Sequence, residues 1–540
     1  MKKRTVSIVL TICMILACIA AGGFTASAGG ADAPTAADGM DYGLADSCAD
    51  GNILQCFNWT LSQIKGELPN IAAAGFTAVQ TSPLQPHDGN YQWYWLYQPT
   101  NFTVGNEIGS YNDLKSLCTE AHKYGVKIIV DVVANHLAGQ KNGAWSGKID
   151  SSLKKSEYFH NLGACEDNSS NRFNITHKNI GMPDLNSENT GLQNKVASLV
   201  SSLKSAGVDG IRWDAAKHIS LPSEDCGFWP AVIDSDMYNY GEILDAPAGS
   251  ASSDTVNNAL MAEYAQYLEV TDEIYSSAVT QAIRDNRVSK SKGNWNQRGV
   301  ATDRLVYWAE SHDTYGNDNW TNGLDQNVID RAYAVLAARA DSQALYLSRP
   351  FEKKDSSIAY AKKGSTHFTS PEVAAVNRFH NAMLGSDEKY YSGSGCYVVC
   401  RGGGAVIVSP RGSDLTVTVT NSGGMVPAGT YTDEVSGTTW TVTASTITGK
   451  IGSTGIAVIY DHDYAAGKVL IGDADLSGDV TILDATCIQR YLVSLEELGP
   501  DALKAADADR NGSIEILDAT AVQRWLAGIK DAGCRVGETL

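Results

Sequence analysis

Basic residues are scarce in this sequence. Its 42 Lys+Arg face 61 Asp+Glu, a formal net charge of -19 over 540 residues. Such a chain repels the phosphates of nucleic acid and of anionic lipid, which excludes both as partners. Long hydrophobic runs are missing as well. After the apolar stretch from Val6 to about Ala21, no segment is long and apolar enough to cross a bilayer. Cysteine is thin, at 11 residues in no zinc-type spacing. The remaining composition, 43% hydrophobic and 19% charged, excludes a disordered, collagen-like or coiled-coil chain. At roughly 100–200 residues per domain, the length allows several domains with ample cores.

The N-terminus reads as a leader. Lys2, Lys3 and Arg4 precede the apolar run, and Ala26-Ser27-Ala28 supplies small residues for cleavage after Ala28. Residues 1–28 are therefore expected to be a secretory signal, and the mature chain to be exported without membrane insertion. Cys13 and Cys18 leave with it. Cys48, Cys56, Cys118, Cys165, Cys226, Cys396, Cys400, Cys487 and Cys534 remain. An odd set leaves at least one unpaired, and the expectation is mostly buried thiols with one or two bridges.

Residues 29–47 form a loose lead. From Cys48 onward, short apolar runs alternate with helical stretches. The runs are Ile53 to Phe57, Phe76 to Gln80, Val126 to Val133, Gly210 to Trp213, Met237 to Glu242, Arg304 to Ala309 and Ala344 to Leu347. Helical stretches at Leu61 to Ala74 and Tyr111 to Tyr124 separate the first of them. This rhythm predicts a (β/α)8 barrel over 48–389. It fails in the polar stretch 137–187, read as a small subdomain inserted after the third strand. Over 390–462, period-two segments such as Leu415 to Thr420 and Gly clusters predict an antiparallel β-sandwich. Residues 463–470 read as a linker, and 471–534 carry an internal repeat.

Barrel enzymes place chemistry where strands end. Asp214 closes Gly210-Ile-Arg-Trp-Asp214, Glu242 closes Tyr240-Gly-Glu242, and Asp313 follows Glu310-Ser-His312. Arg212 lies two residues before Asp214, so on a strand both side chains share a face. A guanidinium there is expected to hold Asp214 ionised, as a nucleophile requires. Glu242 is expected to be the proton donor. Two carboxylates divided in this way are the machinery of glycoside hydrolysis.

Asp131-Val-Val-Ala-Asn135-His136, Gly210 to His218, Gly241-Glu242-Ile-Leu and Ser311-His312-Asp313 resemble, in order, the four signature regions of the α-amylase family, glycoside hydrolase family 13. Met182-Pro-Asp184-Leu-Asn186 resembles its fifth region. The likeness spans about residues 48 to 460. Trp95-Leu-Tyr97-Gln98-Pro99 and the segment after Asp313 look like the saccharifying bacterial type.

The resemblance implies that Asp214 is the nucleophile, Glu242 the acid and base, and Asp313 the stabiliser of an oxocarbenium-like transition state. It implies that Arg212 orients Asp214, that His136 and His312 grip the same sugar, and that Tyr97 stacks beneath it. Lys217, His218 and Gln98 become further substrate contacts. Trp93 and Tyr94 join them as aromatic faces for sugar rings, about half of that aromatic row being expected to touch substrate. The resemblance further implies one structural calcium, with ligands from Asn135, Asp184, the His218 carbonyl and Thr176. Two departures stand out. Asn186 occupies a place where Asp is common, and Glu310 is expected as a further carboxylate at the rim, though not as the acid.

The repeat is closely spaced and explicit. Asp473, Asp475, Ser477, Asp479 and Asp484 fall at positions 1, 3, 5, 7 and 12 of a calcium loop, with Gly478 at the turn. Asp507, Asp509, Asn511, Ser513 and Asp518 repeat it 34 residues on. Position 12 is Asp rather than Glu, and little helix enters each loop. The tail resembles a dockerin, a small all-α module with two calcium ions that binds cohesin domains of scaffold proteins. On that resemblance Ala485, Thr486, Gln489 and Arg490, with Ala519, Thr520, Gln523 and Arg524, are the expected cohesin contacts, and either repeat is expected to serve.

The expected function is a secreted endo-α-amylase that hydrolyses α-1,4 bonds of starch and related glucans with retention. It would be a monomer apart from its cohesin complex. Two alternatives are a family 13 glucanotransferase and a non-catalytic glucan-binding scaffold component. The acidity fits this reading. Removing Lys2, Lys3 and Arg4 takes the net charge from -19 to about -22, and part of the excess lies in the tail's ion loops.

Overall fold

The computed structural model describes residues 42–165, 171–288, 299–353, 357–462, 464, 469–477, 479–495, 497–529 and 534–538. The proposed leader, most of the loose lead and of the linker, and Gly478 lie outside the described residues.

Eight parallel strands close into a barrel. They are β1 (Ile53–Cys56), β2 (Ala78–Thr81), β3 (Lys127–Val133), β4 (Gly210–Asp214), β5 (Tyr238–Gly241), β6 (Glu269–Thr271), β7 (Leu305–Trp308) and β8 (Gln343–Leu347). Closure is made by β1 against β8, with Ile53 opposite Leu345. Strands covered on both faces need no alternation, which is why they stand out in the sequence as continuous apolar runs. The strand that pattern reading missed is β6. At three residues, it is too short to form a run.

The helices pack outside by their apolar stripes. Leu61–Ala73 buries Leu61, Ile64, Leu68 and Ile71 and starts at a reciprocal Thr60–Gln63 cap. Thr190–Ser205 buries Leu192, Val196, Leu199, Val200 and Leu203. Between β3 and that helix the chain makes the expected excursion. It is stitched by isolated bridges pairing His136 with Asp184 and Phe159 with Leu185. Stacking of Trp145 on Phe159 at 4.8 Å and the short helix Arg172–His177 complete it.

After the barrel come two four-stranded antiparallel sheets. One comprises Glu388–Gly393, Cys396–Arg401, Gly404–Val408 and Ile456–Tyr460, and the other Leu415–Thr420, Thr446–Ile451, Thr439–Val442 and Gly429–Thr432. The first sheet shows period two on both faces. Tyr397, Val399, Val406 and Val458 join the barrel's core, whereas Val398, Cys400, Ala405 and Ile459 face the second sheet. The tail has helices Ile482–Leu492, Pro500–Ala506 and Ile516–Leu526 around a small core of Ala485, Ile488, Ala519 and Val522. Its two ends meet, since Ile471 N–H donates to the Glu538 carbonyl and Gly537 N–H to the Ile471 carbonyl, each at 2.8 Å.

The one or two expected disulfides are not found among the described residues: none of the nine cysteines there is bridged, and eight are buried. They act as small apolar side chains in the cores, and export does not oblige such thiols to pair.

Candidate active site

Asp214 ends β4, Glu242 follows β5, and Asp313 opens a single π-helical turn after β7. All three line one cavity of about 550 Å³ at the same end of the barrel. The turns that carry the first two are sewn together. Glu242 N–H donates to the Trp213 carbonyl at 2.9 Å, and Lys217 N–H to the Glu242 carbonyl at 3.1 Å. Ala215 sits at φ +50°, a conformation costly for a side chain bearing a Cβ. Held so, its N–H donates to Glu242 Oε2 at 2.9 Å.

One buried cation organises the group. Arg212 Nη1 donates to Asp214 Oδ1 at 2.8 Å and to Asp131 Oδ1 at 2.9 Å, while Nη2 lies 3.0 Å from Glu242 Oε2. Burial opposes the Arg212 charge, but Asp131, Glu242 and Asp214 outweigh it and keep the guanidinium protonated. The expectation that Arg212 simply ionises Asp214 needs amending. Burial raises the Asp214 carboxyl above its ordinary value, and Arg212 pulls against that rise. Asp313 is pushed well up by burial and by the neighbouring Glu242 charge. One guanidinium shared among these carboxylates leaves them short of positive charge, which favours retaining a proton within the set.

Asp131 is the residue that sequence reasoning passed over. It is fully buried on β3, accepts both from Arg212 and from Tyr97 Oη at 3.0 Å, and so ties the aromatic to the cation. The signal was present, as a lone charge inside an apolar run. Gln55 at the end of β1 was missed for the same reason. Its amide meets His312 Nδ1 at 3.0 Å.

The remaining expected contacts all reach the cavity: Arg212, His136, His312, Tyr97, Gln98, Lys217, His218, Trp93 and Tyr94. Tyr97 stacks on His312 at 5.2 Å and 10°, and Trp93 stands edge-on to both. His136 Nε2 donates to the Tyr97 carbonyl at 2.9 Å. Burial and Arg212 hold His312 well below the ordinary histidine range, so its ring is neutral. Ile180, Met182, Leu244, Glu273 and Asp318 also line the cavity, and no motif marked them as substrate contacts. Glu310 is not on the rim. It is buried and doubly paired with Arg349, Nε to Oε1 at 2.6 Å and Nη2 to Oε2 at 2.8 Å.

The residues expected to hold a cation fall into two adjoining pairs. The Asn135 side chain abuts the buried Asp184 carboxyl, and Leu185 N–H donates to the Asn135 carbonyl at 2.9 Å. His218 Nδ1 donates to the Ile175 carbonyl at 2.9 Å, beside buried Thr176. Asp184 Oδ1 is buried with no hydrogen-bond partner among the described residues. An orphaned carboxylate oxygen beside the Asn135 amide fits a hard, oxygen-seeking ion. Asn186 turns away, its amide donating to the Glu157 carbonyl at 3.2 Å.

In the tail, Asp473, Asp475 and Asp484 bring carboxylates together, and so do Asp507, Asp509 and Asp518. The loops share one backbone course, with Leu476 at φ 56° and Arg510 at φ 58° in equivalent places. Gly512 at φ +84° makes the sharp turn of the second loop. Ser477 N–H donates to Asp473 and Asp475, and Asn511 N–H to Asp507 and Asp509. Asp484 and Asp518 also cap the helices that follow, which fixes the last ligand position of each loop. Converging carboxylates of this kind fit calcium.

Comparison with known proteins agrees with both halves. Residues 44–284 match the description "Alpha amylase, catalytic domain", and residues 471–527 match "Dockerin type I domain". This chain carries an α-amylase catalytic domain and a dockerin type I domain. An α-amylase of Clostridium acetobutylicum is 34% identical over 79% of this chain and 56% of its own length. The chain spans about half the length of the curated relatives it matches. Among solved structures, α-amylase I of Eisenia fetida with maltohexaose superposes at a TM-score of 0.64, covering 79% of this chain and 99% of that one at 19% identity. A γ-CGTase from alkalophilic Bacillus clarkii does so at 0.60, covering 77% and 71% at 15% identity. At these identities the likeness is one of fold.

The dockerin corrects the expected partner contacts. Ala485 and Ala519 are fully buried in the module's core and cannot meet another protein. Thr486, Gln489, Arg490, Gln523 and Arg524 are exposed, and Thr520 is half-buried. The first turns of the two long helices instead show Ile482 and Leu483, and Ile516 and Leu517, each more than half exposed. The two repeats thus carry the same exposed apolar pair at equivalent places.

Proposed function

We propose that this protein is a secreted endo-acting α-amylase that cleaves α-1,4-glucosidic bonds of starch-type glucans with retention and is carried on a cohesin-bearing scaffold by its dockerin. The observation that carries the enzymatic reading is the convergence of Asp214, Glu242 and Asp313 on one cavity around the Arg212 guanidinium.

In this reading Asp214 attacks the anomeric carbon. Glu242 protonates the departing glycosidic oxygen, then takes the proton of the water that frees the glycosyl-enzyme. Two carboxylates sharing one guanidinium favour the close spacing a covalent intermediate requires. Asp313, His136 and His312 hold sugar hydroxyls as the ring flattens, contacts that tighten toward the transition state. The Tyr97–His312 stack offers an apolar floor, and Lys217 and His218 lie where leaving-group sugars pass. Asn135, Asp184, Thr176 and His218 would hold one calcium, whose charge would brace the excursion against the barrel. Each dockerin loop would hold another, and either repeat's exposed face would meet the cohesin.

Asp214→Ala and Glu242→Gln are expected to abolish nearly all hydrolysis in folded protein, and substantial turnover by both would refute the roles. Time-resolved products from amylose, with anomeric configuration recorded, should be linear, reducing and α. Cyclic products would establish the transferase instead. Chelation should remove cohesin binding, and binding that survives a calcium-free tail would overturn the docking role.

A further inference from the structure

The excursion holds a group of side chains that the carboxylate machinery does not use. His160, His177 at the end of its helix and Glu188, one residue before Asn189 caps the next helix, bring ligand atoms within 4.8 Å of one another. The two rings lie 4.5 Å apart. Thr176 Oγ1 donates to the Arg172 carbonyl at 3.0 Å, so it accepts from His177 Nδ1 at 2.7 Å. That leaves His177 Nε2 facing Glu188 Oε1 at 3.7 Å, too far for a hydrogen bond. Glu188 Oε1 is buried with no hydrogen-bond partner among the described residues.

Two metal-binding atoms that face each other across this gap, with no hydrogen bond between them, leave room for an ion. Nitrogen and oxygen ligands on a tetrahedral ion sit roughly 3.4 Å apart, near the observed gap. His160 completes the set, with Nε2 at 2.8 Å from Glu188 Oε2. Behind it, His160 Nδ1 donates to Asp184 Oδ2 at 2.6 Å. A carboxylate behind an imidazole is the contact that orients a metal-binding histidine.

We propose that His160, His177 and Glu188 form a site for a divalent transition ion of the zinc class, separate from the oxygen-lined position at Asn135 and Asp184. Two imidazoles and one carboxylate suit that ion and not calcium, which takes oxygen ligands. On binding, His160 Nε2 releases its proton to water, and its bond to Glu188 gives way to two bonds to the metal. Three protein ligands leave a fourth position for water, and His177 and Glu188 are 24% and 29% exposed, enough to admit it. The ion would staple three segments of the wall that presents Ile180 and Met182 to the cleft.

The test uses the full chain with calcium in excess. Zn2+ is titrated calorimetrically, with Co2+ absorption as a spectroscopic check, against His177→Gln, Glu188→Gln and His367→Gln, the last removing a histidine of the separate Asp330–His367–Glu372 group. Folding of each variant is verified by circular dichroism. The parent and H367Q should bind one more Zn2+ than the other two, or bind it more than about 100-fold more tightly. The proposal is overturned if the parent binds no Zn2+, if H177Q and E188Q bind it as the parent does, or if only H367Q loses it. Two independent ligand variants keep the test decisive should one fail to fold.

Discussion

Replacing Asp131 by Asn should cost this protein both stability and turnover while sparing substrate binding. In the parent, Asp131 accepts two contacts from Arg212 Nη1, at 2.9 and 3.0 Å, and one from Tyr97 Oη at 3.0 Å, with no solvent access. An Asn at that place keeps one acceptor oxygen and turns an NH2 group toward a cation or a hydroxyl proton. Removing one partner of a buried charge pair costs about 3–5 kcal/mol. Some of this is returned, because Asp131 is itself one of several carboxylates crowding a single guanidinium. A net loss of about 2–3 kcal/mol remains after that relief. With an unfolding entropy of about 2.1 cal/mol/K per residue, each kcal/mol is worth about 1 °C in a chain of this size, so Tm should fall by about 2–3 °C. Asp131 does not line the cavity, so KM should hold while kcat drops as Arg212 and Tyr97 lose their anchor. Thermal melts with steady-state kinetics on a soluble maltooligosaccharide read both. An unchanged kcat in a variant of unchanged Tm would refute the argument, and so would a rise in KM alone.

Glu269 offers a pH test. Burial raises its carboxyl to about 7, with Arg304 at 3.0 Å opposing, and Oε2 is buried with no hydrogen-bond partner among the described residues. The folded state therefore binds a proton more readily than the unfolded one, and the stability it contributes is lost as pH rises from about 4.5 to 7. Glu269→Gln should flatten that slope and gain about 1–2 kcal/mol over the parent at pH 8, read by melts across pH; equal slopes would sink it. In the dockerin, the double change Leu483→Asp with Leu517→Asp should weaken cohesin capture at least about tenfold without disturbing calcium binding or fold, since both side chains are exposed. Either single change should do far less if each repeat can serve alone. Capture unaffected by the double change would place the interface elsewhere.

The barrel and its three carboxylates were legible because strands buried on both faces print as apolar runs, and chemistry interrupts those runs at their ends. What escaped follows from the same rule. Strand β6 has three residues and makes no run. Asp131 and Gln55 sit inside runs, where a polar residue reads as noise until the barrel is closed. The His160 cluster is gathered from three segments of an irregular excursion, so no spacing announces it. In the dockerin, the repeat gave the helices but not their rotation. Asp484, Ala485 and Ile488 turn inward, which leaves Ile482 and Leu483 to the outside.

The meeting of the dockerin's two ends has a mechanical consequence. If the tail tethers the enzyme, as proposed, any tug on the catalytic body enters the module at Ile471. There Gly537 and Glu538 hold it by main-chain bonds on both sides. Strain is taken first by that clasp, ahead of the loops that begin at Asp473. Tethering would thereby be decoupled from the ligand loops, so a shaken enzyme would keep the ions those loops are proposed to hold.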